Sequence, residues 1–272
     1  MLSIVPSYVA KLDRAQRHVD ELKEAIKAFG GTGTGAASRP YTITRSSESR
    51  HTVHRLEFTR SVVNTDIPLI AADAIYNLRS SLDHLMSALS PAGRNPIFPI
   101  FFRGVADQLV HGENDQRIKL RERWASDTVH VAPQAAEFLK RLQPPDEPTH
   151  AESPHALRLL NQLSNKDRHT RLPLIADGVE GLIINWRMPD GQIQQALARP
   201  EADHLIEAGA KLSNVPQGAE YDACYGPVHI VIKTPLSNEH GAINLPVIDF
   251  ISDTLSFIRD TVVSGLVPYV RP

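Results

Sequence analysis

The chain has 272 residues, and its near balance of 29 Lys and Arg against 31 Asp and Glu excludes a dedicated duplex-DNA reader, which carries a basic excess. An apolar share of 42% and a charged share of 22% are ordinary for a soluble globular protein, and the length suffices for a substantial core. The one cysteine, Cys224, excludes a disulfide framework and a cysteine-based zinc site. No apolar run approaches the roughly 18 residues that a spanning helix needs, so no membrane partner is expected. The first residues lack a basic stretch followed by a long apolar one. No signal peptide is therefore expected, and the cytoplasm is the expected location.

Ser7 to Phe29 reads as a helix. Leu12, Ala15, Val19, Leu22 and Ile26 recur three and four apart, with Ser7 as the expected N-cap and Gly30-Gly31 as the stop. The glycines of Gly30 to Ser38 suggest a phosphate loop, but the Lys-Ser/Thr ending is missing and the stretch leaves a helix, so it reads as a linker. Tyr41 to Arg45 and Thr52 to Thr59 read as a β-hairpin. Ile67 to Leu89 follows as a long helix, with Ile75, Leu78, Leu82, Leu85 and Leu89 as its stripe. Asn95 to Phe102 is apolar but holds two prolines, which bars it from a helix interior or a central strand. It is expected to lie extended across the helices.

Asp115 to Ser126 and Ala132 to Leu142 are predicted helices. So is Ser153 to His169, with Ser153 as cap and Pro154 in the first turn. From Arg171 onward the texture becomes strand-like over Leu172–Ala176, Gly181–Met188, Gly191–Ala198 and Val228–Thr234, with turns at Asp177-Gly178 and Pro189-Asp190-Gly191. Asp203 to Leu212 is ambiguous between helix and strand. Leu245 to Val263 closes the series as a helix. The expected architecture is a single α+β domain over 1–272. In it a helical bundle from 7–29, 67–89, 115–169 and 245–265 carries an antiparallel sheet on one flank, with β-rich parts at 41–59 and 171–234.

The candidate chemistry lies beside two leucine stripes. On the 67–89 helix Asn77, Ser81 and His84 share one flank, with Asp73 one turn before Asn77. Arg79 and Asp83 form an i, i+4 pair near the other flank. On the 153–169 helix Asn161, Asn165 and His169 are spaced by four, beside Lys166 and Arg168. Two such helices are expected to pack with these residues around one crevice. Histidine can pass protons near neutrality, and arginine offers a fork of donors suited to phosphate. Each residue also has a structural reading. Asn77 and Asn165 can be buried amides bonded across helices, His84 and His169 satisfied core or rim histidines, and Lys166 and Arg168 a cationic helix end.

Arg-Ser-Ser-Leu-Asp-His at Arg79–His84 has the R-x4-H spacing and resembles the HEPN superfamily, whose members include metal-independent ribonucleases and toxins. Asn77–His84, then Phe98-Pro99-Ile100, Leu142-Gln143-Pro144 and the run Leu160 to His169 are together similar to a broad bacterial family of uncharacterised proteins. The resemblance spans about Asp73 to Leu172. The HEPN resemblance implies that Arg79 contacts the scissile phosphate of an RNA and that His84 assists attack by the 2′-hydroxyl; Asn77, Asp83, Asn165, Arg168 and His169 are the candidate binding residues around them. RNA or a nucleotide is then the partner, and the superfamily builds its site across a homodimer. About 140° around the axis separates Arg79 from His84, so one ligand meets both only through a long reach or a second subunit. Three histidines hold a metal in DinB-like proteins. Here Asp73, His84 and His169 are the comparable residues, without an H-x3-H or E-x2-H pair, and no metal or other cofactor is expected. The alternative is a non-enzymatic binding or interaction protein whose Asn/His/Arg cluster is structural.

Overall fold

The computed structural model describes residues 5–31, 39–48, 51–91, 96–101, 115–145, 155–167, 172, 174–179, 182–198, 206–207, 209–212, 218–235 and 242–271. The fold is α+β. Two compact units interleave along the chain: Met1–Asp20, Leu69–Leu172 and Ile248–Pro272 form the first, and Glu21–Pro68 with Pro173–Val247 the second. No helix of the described residues is long and apolar enough to cross a membrane.

The helices are α1 (Ser7–Gly30), α2 (Ile67–Leu89), α3 (Asp115–Thr128), α4 (Pro133–Arg141), α5 (Ala156–Asp167) and α6 (Val247–Phe257). In α1 the Val9 and Ala10 amides donate to the Pro6 carbonyl, so Ser7 is the first helical residue rather than the cap. The expected cap at Ser153 and Pro154 lies outside the described residues. Helix α2 has the expected bounds. The Thr65 hydroxyl accepts from the Ile67 amide at 3.3 Å, and Pro68 sits at the second position, where no intrahelical donor is needed. Its stripe Ile75, Leu78, Leu82, Leu85 and Leu89 is buried. Each such side chain stabilises by about 1.5–3 kcal/mol.

The last helix departs from expectation at both ends. Leu245 and Pro246 belong to a strand, and α6 runs on through a π-helical stretch, Ile258–Val263, into Ser264–Leu266. The Ser264 hydroxyl donates to the Arg259 carbonyl five residues back, capping one of the acceptors of that wide turn. Gly265 then meets α4 so closely that an added Cβ would lie 2.1 Å from Cζ of Phe138.

Among the described residues the second unit holds three antiparallel sheets where one was expected. The hairpin of β1 (Tyr41–Glu48) and β2 (His51–Phe58) is one. Strands β3 (Leu174–Val179), β6 (Ile206–Glu207), β8 (Val228–Pro235) and β9 (Ala242–Pro246) form a second in the order β6-β3-β8-β9. The third is β5 (Ile193–Ala198), β4 (Leu182–Arg187) and β7 (Glu220–Tyr225) in the order β5-β4-β7. Residues 209–212, ambiguous in sequence, run extended along β2. The Gly209 amide donates to the Leu56 carbonyl, Leu56 to Ala210, and Leu212 to His54.

The turn at Pro189-Asp190-Gly191 forms as expected. Gly191 takes φ 84°, Met188 and Gln192 close the hairpin at 2.8 Å, and the Asp190 carboxylate accepts the Gln192 amide at 3.0 Å. Asp177-Gly178 is not a turn. It lies within β3 at a register shift between Ala176 and Gly178, a bulge that glycine accommodates in mid-strand. The hairpin sheet and the β5-β4-β7 sheet share a core. Trp186 meets the buried His54 edge-on at 5.0 Å and Tyr221 at 6.4 Å.

Candidate functional site

Among the described residues of the helical unit, a polar arrangement is built on α2. Arg79 is buried on its helix, and Asp83, one turn on, is partly exposed. Their ion pair closes at 3.1 Å, as the i, i+4 spacing predicts. Both also turn to the extended segment 96–101. Nη2 of Arg79 donates to the Phe98 carbonyl at 2.9 Å, and Oδ1 of Asp83 accepts the Phe98 amide at 2.9 Å. Arginine, carboxylate and the backbone of a single residue, Phe98, thus close a ring of three contacts.

The same segment is held from its other end by Gln143, two residues beyond the end of α4 and wholly buried. Its Nε2 donates to the carbonyls of Pro99 at 3.2 Å and Leu139 at 2.8 Å, and its Oε1 accepts the Phe101 amide at 2.7 Å. Phe98 is buried, and Phe101 meets Trp124 of α3 edge-on at 6.0 Å. A backbone crossing helices has no ladder to join, and two prolines rule one out, so side chains must satisfy its buried N–H and C=O groups. From the sequence, Gln143 stands only within the Leu142-Gln143-Pro144 motif and not as a site residue. The signal was there: a lone amide between Leu142 and two prolines, in a tripeptide otherwise apolar.

The other candidates disperse. Asn77 is buried, but its Nδ2 donates to the Asp73 carbonyl within its own helix at 2.8 Å instead of crossing to another. Its Oδ1 has no hydrogen-bond partner among the described residues. Ser81 is buried and returns its hydroxyl to the Leu78 carbonyl at 2.7 Å. Asp73 is exposed and His84 half-buried. On α5, Asn161 is half-buried and Asn165 exposed, so Asn165 is not the buried amide its spacing suggested. Arg168 and His169 lie outside the described residues. Among the described residues no three His, Cys, Asp or Glu side chains gather closely enough to hold a metal ion.

The second unit has its own polar cluster. The Arg39 guanidinium donates to the Cys224 carbonyl. The Tyr41 hydroxyl both donates to the Gly226 carbonyl and accepts its amide, each at 2.7 Å, and the Tyr221 hydroxyl lies 3.3 Å from the Cys224 sulfur. Burial pushes the pKa of Cys224, Tyr41 and Tyr221 above their ordinary values. All three therefore stay protonated at neutral pH, and Cys224 is a packed thiol rather than a nucleophile.

The chemistry on offer at α2 is that of a strut. The guanidinium nitrogen Nη2 of Arg79 is spent on a carbonyl and a carboxylate, and the Asp83 carboxylate offsets its charge. His84, the other half of the R-x4-H pair, remains partly accessible. No family model, curated protein or solved structure matches the chain at a significant level.

Proposed function

We propose that the chain is a HEPN-like α+β protein that acts by binding, not by catalysis, with its helices as a bundle and Arg79, Asp83 and Gln143 as internal struts. The observation that supports this reading is the bond from Nη2 of the buried Arg79 to the Phe98 carbonyl. A phosphate could take that nitrogen only by breaking the bond and leaving a buried carbonyl unpaired, which costs about 1–3 kcal/mol. The cytoplasm is the proposed location, and no cofactor is invoked.

A metal-independent ribonuclease that binds RNA or a nucleotide is the second reading, favoured by the partial accessibility of His84 within the R-x4-H spacing. An RNA-cleavage assay on wild type and His84→Ala separates the two. Under the binding reading neither preparation cleaves a mixed RNA above background. Cleavage by wild type that a folded His84→Ala protein has lost overturns it and installs His84 as a catalytic residue.

A further inference from the structure

Among the described residues, strand β5 is an edge without a protective device. It pairs with β4 on one side, at the end of the sheet order β5-β4-β7. Its six residues, Ile-Gln-Gln-Ala-Leu-Ala, carry no charge, proline or glycine, and its ladder with β4 runs without a register shift. Edges usually carry one of those devices because their free N–H and C=O groups recruit another strand. The opposite edge of the same sheet has them: β7 carries Glu220 and Asp222, and its ladder is bulged opposite Asn185 and Trp186.

The outer face beside this edge carries three exposed apolar side chains, interspersed with Gln195, Asn185 and Arg187. Ile183 of β4 is 42% exposed and stands opposite Leu197 of β5, 53% exposed, with Ile193 at 46% four residues away on the same face. On its outer face the strand is symmetric about Gln195, which Ile193 and Leu197 flank, whereas Gln194 and Ala196 on the other face differ in type. A two-fold axis perpendicular to the sheet through Gln195 keeps each face on its own side, because the paired residues then share parity along the strand. In that register Ile193 meets Leu197 of a second copy, Leu197 meets its Ile193, and the two Gln195 amides face each other. With no charge on the strand, no like charges are opposed across the axis, so a copy of the chain is a partner the edge accepts.

We propose that β5 pairs antiparallel with β5 of a second copy about Gln195, joining two three-stranded sheets into one of six strands. The proposal is independent of whether His84 is catalytic. Its test is sedimentation velocity on the full chain across a concentration series, for wild type, Gln195→Lys, Gln195→Glu and an equimolar mixture of the two variants. Gln195 is exposed, so both variants should keep the wild-type circular dichroism spectrum. Wild type is expected to dimerise. Each variant alone places like charges opposite each other on the axis, and its dissociation constant is expected to rise about a hundredfold. The mixture restores the dimer through a Lys–Glu pair. A wild type that stays monomeric, a Gln195→Lys chain that dimerises as tightly as wild type through another surface, or a mixture that stays monomeric overturns the proposal.

Discussion

Two extended segments, 96–101 in the helical unit and 209–212 in the sheet unit, solve one problem in opposite ways. Each must satisfy backbone groups without being a regular strand. Residues 209–212 lie along β2 and bond through their own amides and carbonyls to Leu56 and His54. Residues 96–101 lie against helices, whose backbones are already committed, and take their partners from Arg79, Asp83 and Gln143. Backbone pairing is indifferent to side-chain identity. Side-chain pairing is not, so the first solution leaves little trace in a sequence and the second leaves specific residues at specific places.

Mutations should separate the two modes. Arg79→Ala leaves the Phe98 carbonyl unpaired and the Asp83 carboxylate without its cation. A loss of about 3 kcal/mol is expected in urea unfolding, less than for a fully buried pair because Asp83 is partly exposed. Asp83→Asn keeps an acceptor for the Phe98 amide and should lose less. An Arg79→Ala protein as stable as wild type would break the comparison at its strongest point.

Glycines sharpen it. Gly265→Ala drives a methyl into the Phe138 ring and should cost about 2 kcal/mol despite alanine's better helix propensity, with Phe138→Leu restoring part of the loss. Gly209→Ala meets no atom within 4 Å but must hold φ 82°, so a loss of about 1 kcal/mol is expected, with no recovery from any neighbouring truncation. The first penalty is spatial and the second conformational, and only the spatial one responds to a partner's size.

The smallest effect is a pH dependence. Burial, with Arg45 across the hairpin, lowers the pKa of His54 from 6.5. Above pH 6.5 the imidazole is neutral in both folded and unfolded chains and contributes nothing. As pH falls below 6.5 the unfolded chain takes up a proton that the folded chain resists, so stability declines with acidification. Urea midpoints at pH 5 and pH 7 should therefore differ less in His54→Phe than in wild type. An unchanged difference would remove His54 from the account.

The same contrast explains what the sequence made legible. Period-3.6 stripes placed α1 and α2 almost to the residue, and Pro189-Asp190-Gly191 placed the β4–β5 turn, because each is a local signal. Strands β7 and β9 went unread. The first, Glu-Tyr-Asp-Ala-Cys-Tyr, carries two acids unusual in a strand, and the second ends in a proline directly before a helix. Asp177-Gly178 misled because a bulge and a turn call for the same residues. Within the candidate site the Arg79–Asp83 pair was legible from spacing alone. Its engagement with Phe98 was not, since nothing local says which backbone a side chain will meet. The R-x4-H spacing drew attention to His84, whereas the residue that completes the hold on the segment is Gln143.

The hold on residues 96–101 also implies an order of assembly. Arg79 and Asp83 reach Phe98 across 19 and 15 residues, whereas Gln143 reaches Phe101 and Pro99 across 42 and 44. Closing the longer loop costs about 0.9 kcal/mol more in chain entropy. On loop closure alone the contacts with α2 are expected to form before those with Gln143, an order that a higher φ-value for Asp83→Asn than for Gln143→Ala would check.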